Sequence, residues 1–276
     1  MGDYQTLNVE MEGRIAWITF DHPPINLLDM QMIREIDQLS SELLSNEDLH
    51  VAVFQSADAD FFIAHADVEL IRRMPTDITE RPTNHNLYVA ALERLRTLPF
   101  ATIGKVAGIA RGGGGEFLWS LDMRFAAIER TQLSQPEVAI GILPSGSGSA
   151  RLPHLVGRAR ALEISLACED FTAELAQSYG LINRAMPGAE LDEFVDRIAR
   201  RIASFPRSAI RSTKLAVDAA LEDPTEALLE EAHQFNVLRG TSDAQQRMAR
   251  FLALGAQTRE GELDLNSVID RLRYDG

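Results

Sequence analysis

The residues best suited to chemistry fall in three separated stretches. The first is Gly108-Ile109-Ala110-Arg111-Gly112-Gly113-Gly114-Gly115-Glu116. The second is Gln135-Pro136-Glu137, followed by a glycine–serine loop that runs Gly141-Ile142-Leu143-Pro144-Ser145-Gly146-Ser147-Gly148. The third is Ala64-His65-Ala66-Asp67, a turn just before a predicted helix. Four consecutive glycines inside a compact domain are costly, because glycine loses more freedom on folding than any other residue. They follow an apolar run that reads as a buried strand and precede a run that reads as the first turns of a helix. N–H groups at a helix N-terminus have no internal partner and carry the positive end of the dipole. The stretch therefore points to a site that stabilises a transient oxyanion. The plainer reading is tight strand–helix packing, with Glu116 as an ordinary first-turn acid. Glu116 and Glu137 could work beside such an oxygen as acid and base. Spacing alone does not bring them together.

Other chemistries are weaker. No Gly-Lys-Ser/Thr follows a glycine loop, so the P-loop pattern fails, and G-x-G-x-x-G is not met cleanly. Ser145, Ser147 and Ser149 lack the G-x-S-x-G context of a hydrolase nucleophile and read as loop hydroxyls. No second histidine stands at ligand spacing from His65, so no metal site is expected.

The elements that must position these residues alternate. Residues 7–11 and 14–20 read as a hairpin around Glu12-Gly13, with Pro23-Pro24 ending the second strand. Residues 27–44 have helical spacing. A short strand at 51–54 leads through a polar turn to 61–67 and a helix at 68–74. Residues 75–86 read as a loop and candidate lid, and 87–98 as an amphipathic helix. A strand at 100–109 feeds the glycine turn, and another spans 123–128. Residues 133–148 read as ordered loop, and 150–167 as a helix interrupted near Pro153 and Gly157. Thr172 opens a further helix with a capping-box start, ended by Gly180. Leu181-Ile182 begins a strand. From residue 191 onward the pattern is helical, with breaks at Pro206, Asp223-Pro224 and Gly240-Thr241. An α/β core over 1–190 and a helical region over 191–276 follow.

Composition narrows the partners. With 276 residues and 45% apolar content, a sizeable core needs no staples. A net charge of −14 argues against nucleic acid and against an acidic membrane surface. One cysteine, Cys168, makes no internal disulfide and suits a reducing, cytoplasmic setting. No run is long and apolar enough for a membrane span.

Taken together, the stretches resemble the enoyl-CoA hydratase/isomerase (crotonase) family, in its order and spacing, from about residue 9 to 251. Residues 18–28 resemble its opening strand and turn. Ala64-His65-Ala66-Asp67 matches A-G-A-D, and Gly112 to Glu116 matches G-G-G-x-E. Gln135-Pro136-Glu137 and Gly141-Ile142-Leu143-Pro144 match Q-P-E and G-x-x-P. Residues 173–187, with Tyr179-Gly180-Leu181-Ile182-Asn183, resemble its A-x-x-x-G-L-V-x-x-V-x-P segment. The resemblance implies a spiral of ββα units with C-terminal helices that build homo-trimers, often paired into hexamers. It implies an acyl-CoA thioester substrate and no cofactor, coenzyme A being part of the substrate. It implies an oxyanion hole from the N–H groups of Ala66 and Gly113. Glu116 would orient and activate water, and Glu137 would deliver the α proton. Pro24, Ile25, Ala64, His65, Asp67, Val68, Ile109, Gly112, Pro136 and Pro144 would line the substrate and CoA path.

Hydration of a trans-2-enoyl-CoA is the activity these two acids favour. Isomerisation, C–C hydrolysis of a diketone-type substrate and non-catalytic acyl-CoA binding are the alternatives. The chain departs from the family in four places, one of them Ser145, which replaces a glycine in the loop after Pro144. His65 replaces a glycine and is expected to be a neutral, packed side chain, strained if its φ is positive. Asp60 and Phe61 stand where relatives often carry a cation near the nucleotide, and the stretch after Phe251 lacks the usual basic pattern. Arg111 and Lys105 read as surface charges.

Overall fold

The structure is a computed structural model that describes residues 2–77, 80–219, 221 and 225–272. Strand β1 (Leu7–Glu12) pairs antiparallel with β2 (Ile15–Phe20), turning at Gly13. Helix α1 (Met30–Ser45) starts later than its periodicity suggests, because Asp29 caps it by accepting from the Met32 N–H at 2.9 Å. Next come β3 (Val51–Ser56), β4 (Phe61–Ile63), α2 (Val68–Arg72) and α3 (Leu87–Arg96). Then follow β5 (Ala101–Val106), β6 (Ile109–Arg111), α4 (Gly113–Trp119), β7 (Met123–Ala127), β8 (Gln132–Ser134) and a 3₁₀ turn, Glu137–Ile140. The order continues with α5 (Gly148–Val156), α6 (Arg158–Ala167), β9 (Phe171–Thr172), α7 (Ala173–Tyr179) and β10 (Arg184–Met186). The C-terminal helices are α8 (Gly188–Ala203), α9 (Arg207–Asp218), α10 (Thr225–Arg239), α11 (Ser242–Ala253), α12 (Arg259–Leu263) and α13 (Leu265–Asp270).

The strands divide between two sheets. One runs β1-β2-β3-β5-β7-β10 and the other β4-β6-β8-β9. Each winding gives one strand to each sheet: β3 then β4, β5 then β6, β7 then β8. The crossovers from β3 to β5 and from β5 to β7 are parallel, as helical returns require. The architecture is the expected spiral.

The apolar run 100–109 is therefore two strands and not one. At Gly108 the chain passes hard against the backbone of Asp60, where a Cβ would lie 2.6 Å from the Asp60 carbonyl. The run changes sheets at that kink. Likewise 150–167 is two helices separated by Gly157 at φ 78°, while Pro153 sits inside α5. The loop expected over 133–148 contains β8 and the 3₁₀ turn. The break read at Asp223-Pro224 lies outside the described residues, as do Ile78 and Thr79 of the candidate lid.

Between the sheets, Phe20, Phe54 and Phe62 close around Phe117, with ring centroids 5.2 Å from Phe117 for the first two. Edge-on aromatic pairs add about 0.5–1.5 kcal/mol each beyond their buried area. They anchor α4 one residue past Glu116. Helix α8 covers the other face of the large sheet through Leu191, Val195 and Ala199. Helices α11 and α13 pack Met248, Phe251, Leu265 and Val268 onto Val68, Ile140 and Ile142. The C-terminal segment thus sits directly on two of the three candidate stretches. No helix among the described residues is long and apolar enough to cross a membrane.

Candidate active site

A cavity of about 330 Å³ gathers Ala66, Asp67, Gly113, Glu116 and Glu137 on one wall system. Its other walls are largely apolar, including Leu28, Met30, Ile33, Leu70, Ile71, Met74 and Phe235. Pro82, Asn84, His85 and Asn86, from the candidate lid, also border it.

The two backbone donors come from different windings. Gly113 is the first residue of α4, so its N–H has no acceptor within the helix. At Ala66 the chain makes a single parallel bridge with Leu28. That bridge uses the His65 carbonyl, which accepts from Leu28 N–H at 3.0 Å, and the Asp67 N–H, which donates to Leu28 at 3.0 Å. A trans peptide directs its N–H opposite to its C=O. With the His65 C=O turned to Leu28, the Ala66 N–H faces away from that contact. A Cβ on Gly113 would lie 3.6 Å from the Ala66 nitrogen and 2.8 Å from Leu28 Cδ2. Tyr88 steadies the same turn, its hydroxyl donating to the Gly113 carbonyl at 2.7 Å.

The glycine run has distinct local reasons. Gly112 caps α4 at φ 48° and ψ −123°, backbone that other residues rarely adopt. A Cβ there would stand 2.6 Å from Glu137 Oε1. Gly114 lets α4 pack directly on β4, since a Cβ would meet the Ile63 carbonyl at 2.2 Å. Gly112→Ala is expected to cost about 1–3 kcal/mol in chemical denaturation through backbone strain. It should also displace the Glu137 carboxylate. A variant as stable and as active as the parent would remove both constraints.

The acids differ in environment. Glu116 is 4% exposed, and its Oε1 accepts from the N–H groups of Gly146 and Gly148 at 2.7 and 2.9 Å. Burial pushes its pKa up to about 7 against the pull of those two donors. Glu137 opens the 3₁₀ turn behind Pro136. The residue is half-buried, but its Oε2 is fully enclosed without a hydrogen-bond partner. Burial raises its pKa well above the ordinary carboxylate range, and the Glu116 charge adds to that.

Glu231 on α10 is a third buried acid that sequence reading missed. It accepts from the N–H groups of Ser147 and Ala150 at 2.8 and 2.7 Å. The loop from Gly146 to Ala150 thus divides its amides between Glu116 and Glu231. Burial raises the Glu231 pKa well above the ordinary range, and repulsion from Glu116 raises it further. An acid pair, Glu230-Glu231, in a predicted helix is no signal by itself, since a surface helix looks the same.

The remaining expected contact residues mostly lie outside this cavity. Asp67 alone of them borders the cavity. Ile25, Ala64 and Ile109 form a small core with Phe61, and Val68 packs under α11. Pro144 packs where a Cβ on Gly148 would lie, 2.5 Å away. Pro24 is exposed, and its carbonyl accepts from Arg259 Nη1 at 3.1 Å.

Arg259 also answers the missing cation near Asp60. Its guanidinium reaches Asp58 at 2.7 Å, pairs with Asp60 and lies 5.5 Å from the Phe61 ring centre. A positive charge occupies this place after all, delivered from the C-terminal segment.

Two further expectations are corrected. Arg111 is fully buried and not a surface charge. Its Nε and Nη2 donate to the two Asp170 oxygens at 2.7 Å each, and Nη1 donates to the Glu262 carbonyl at 2.7 Å. His65 is 4% exposed with ordinary backbone, and both ring nitrogens are engaged, so it is not simply packed. Lys105 does not line the cavity and pairs with Asp192 at 2.6 Å.

Fold and cavity together define an α/β protein with a pair of acids on one apolar cavity, and comparison with known proteins carries this to a family. The model of the enoyl-CoA hydratase/isomerase family matches residues 10–256. The probable enoyl-CoA hydratase echA8 of Mycobacterium tuberculosis is 32% identical over 251 residues, covering 90% of this chain and 95% of its own. The short-chain-enoyl-CoA hydratase of Clostridium acetobutylicum is 29% identical over 88% of this chain and 93% of its own. A crystal structure from Streptomyces avermitilis, assigned to the enoyl-CoA hydratases, superposes with a TM-score of 0.91 at 41% identity. It covers 98% of this chain and 99% of that one. The chain belongs to the enoyl-CoA hydratase/isomerase family and is an enzyme of that family.

Proposed function

We propose that the protein adds water across the double bond of a trans-2-enoyl-CoA thioester. The observation that carries this reading is the meeting of Glu116, Glu137, Ala66 N–H and Gly113 N–H on one apolar cavity. Hydratase names among relatives of about 30% identity support it.

The thioester oxygen accepts from Ala66 and Gly113. It gains negative charge as water attacks the β carbon, and each donor then contributes about 3 kcal/mol by analogy with other oxyanion holes. Ionised Glu116 takes a proton from the attacking water, whose oxygen bonds to the β carbon. Protonated Glu137 gives its proton to the α carbon. One acid that titrates near 7, with two amides favouring its ionised form, beside one that burial and its neighbour's charge keep protonated is a division that suits these roles. Isomerisation needs one acid, so the second favours hydration.

The direct test mixes the protein with crotonyl-CoA and follows loss of the conjugated absorbance, with the product identified by mass. A product of unchanged mass with a moved double bond would replace hydration by isomerisation.

A pH profile follows from the same assignment. Activity is expected to rise as Glu116 ionises near pH 7 and to fall at higher pH as Glu137 loses its proton. Stability carries the opposite sign. The folded protein holds the Glu116 proton from the ordinary 4.5 up to about 7, where the unfolded chain has lost it. This group's contribution therefore declines as pH rises through that window. A flat kcat/KM from pH 5.5 to 8 would contradict the assignment.

The C-terminal helices are proposed to join copies into trimers or hexamers. Helix α9 buries no residue, and Leu215, Val217 and nearby Leu221 are 57–59% exposed. Sedimentation should give three or six chains, and a monomer at micromolar concentration would count against this.

A further inference from the structure

The residues that brace the turn around Ala66 come from the far end of the chain. His65 Nδ1 lies 2.8 Å from the Ala66 carbonyl oxygen, and Nε2 lies 2.8 Å from Glu262 Oε1. Glu262 is fully buried. The same loop makes further ties: Gln257 Nε2 donates to Asp67 Oδ1 at 2.8 Å, and Val68 N–H donates to Gln257 Oε1 at 3.2 Å. Gln257 N–H donates to Glu262 Oε1 at 2.7 Å, which fixes the acid's own position. Both partners of the imidazole are acceptors, a carbonyl and a carboxylate. A neutral ring has one donor only, so with Glu262 ionised, as its lowered pKa favours, both contacts are hydrogen bonds only when the ring is an imidazolium.

Resting on the acyl-CoA reading above, we propose that His65 is a positioning residue, a cation paired with Glu262 that orients the Ala66 N–H toward the thioester oxygen. The geometry acts on both sides of one residue. Leu28 N–H holds the peptide before Ala66, and His65 Nδ1–H holds the carbonyl after it. Ala66 is left with little rotational freedom, and its N–H is aimed before substrate arrives. An oxyanion donor is effective only when preorganised in this way. The position is a glycine in the family motif, so the clamp belongs to this chain's own substitution and to its acidic partner at Glu262.

The charges facing the ring support its protonation. Burial is the largest single influence and opposes it, but the charge and hydrogen bond of Glu262 together with the Ala66 carbonyl outweigh it, and the imidazole pKa is raised. Arg111 lies on the other side of Glu262, 3.6 Å from Oε2, and opposes protonation; Asp170 largely neutralises it. Asp67 follows along the turn and is tied to Gln257, and Glu137 lies across Gly112. Phe251, from α11, covers the ring face with centroids 6.1 Å apart.

Three measurements test the clamp. Nitrogen-15 NMR of labelled histidine in the parent protein should report a buried imidazolium at pH 7, and a neutral ring would overturn the proposal. Butyryl-CoA labelled with carbon-13 at the thioester carbonyl cannot be hydrated, so it reports polarisation alone. The bound carbonyl should shift downfield in the parent, and His65→Gln and Glu262→Gln should lose most of that shift while still binding. Unchanged polarisation in both variants, or none in the parent, would overturn it. With crotonyl-CoA, kcat should fall about 10–100-fold in either variant with KM changed little, less than outright loss of an oxyanion donor. Polarisation without hydration in the parent would sink the hydratase reading and leave the clamp standing. Hydration with polarisation unaffected by either variant would do the reverse.

Discussion

Glu137→Gln is expected to lower kcat toward crotonyl-CoA by about 10²–10⁴, the usual contribution of a positioned acid or base. Glutamine keeps the shape and volume of the side chain but has no proton to transfer. The Oε2 of Glu137 is enclosed and without a partner, so no protein hydrogen bond to that atom is lost. The change therefore isolates the proton from the packing. kcat and kcat/KM should fall together, while a saturated acyl-CoA binds as before. Glu116→Gln should cause a loss of similar size. It also exchanges one carboxylate oxygen that accepts from Gly146 and Gly148 for an amide, so loop order is a second variable there. The double variant should fall well short of the product of the two losses, because the acids serve one reaction. Activity of Glu137→Gln within tenfold of the parent would remove this residue from the chemistry.

Arg111→Ala is expected to be the most damaging single change to stability, at about 3–5 kcal/mol in urea titration. The guanidinium is fully buried and makes a two-point contact with Asp170 as well as a bond to the Glu262 carbonyl. Removing it strands Asp170 without its cation and leaves the buried Glu262 carbonyl without its donor, while the Glu262 carboxylate keeps His65 as its charged partner. Replacement by lysine should recover only part of the loss, because one ammonium cannot reproduce the planar fork that spans both Asp170 oxygens. Arg111 ends β6 and immediately precedes Gly112, so the variant should also loosen the turn that presents Gly113. A loss below about 1 kcal/mol would show that the network carries no net stability.

Some of this molecule was legible from neighbouring residues alone. Alternation and turn chemistry marked the opening hairpin, and helical spacing marked α1 and α3. Gly112 to Glu116 declared a strand–turn–helix junction because the requirement for glycine is local. Its causes are a positive φ at Gly112 and a close approach at Gly114. The family motifs drew attention to Glu116, Glu137, Ala66 and Gly113 because each lies in a short stretch of characteristic pattern. Where the reading failed, the deciding contact was distant. Residues 100–109 looked like one strand, since apolar continuity does not reveal which sheet each half joins. The backbone of Asp60 against Gly108 decides that.

The same distinction separates the two kinds of site residue. Amino-acid type and order determined which groups this protein can bring to bear: two acids, a glycine-rich helix start and a histidine in the turn. Tertiary structure alone decided what those groups are. His65 reads as a packed neutral ring until Glu262, from the other end of the chain, stands 2.8 Å from it. Arg111 reads as a surface charge until Asp170 and Glu262 close around it. Glu231 has no reading at all until α10 brings it to the amides of Ser147 and Ala150. Protonation and burial depend on the field of every neighbouring charge and on exclusion of water, and both are set by residues far away in sequence.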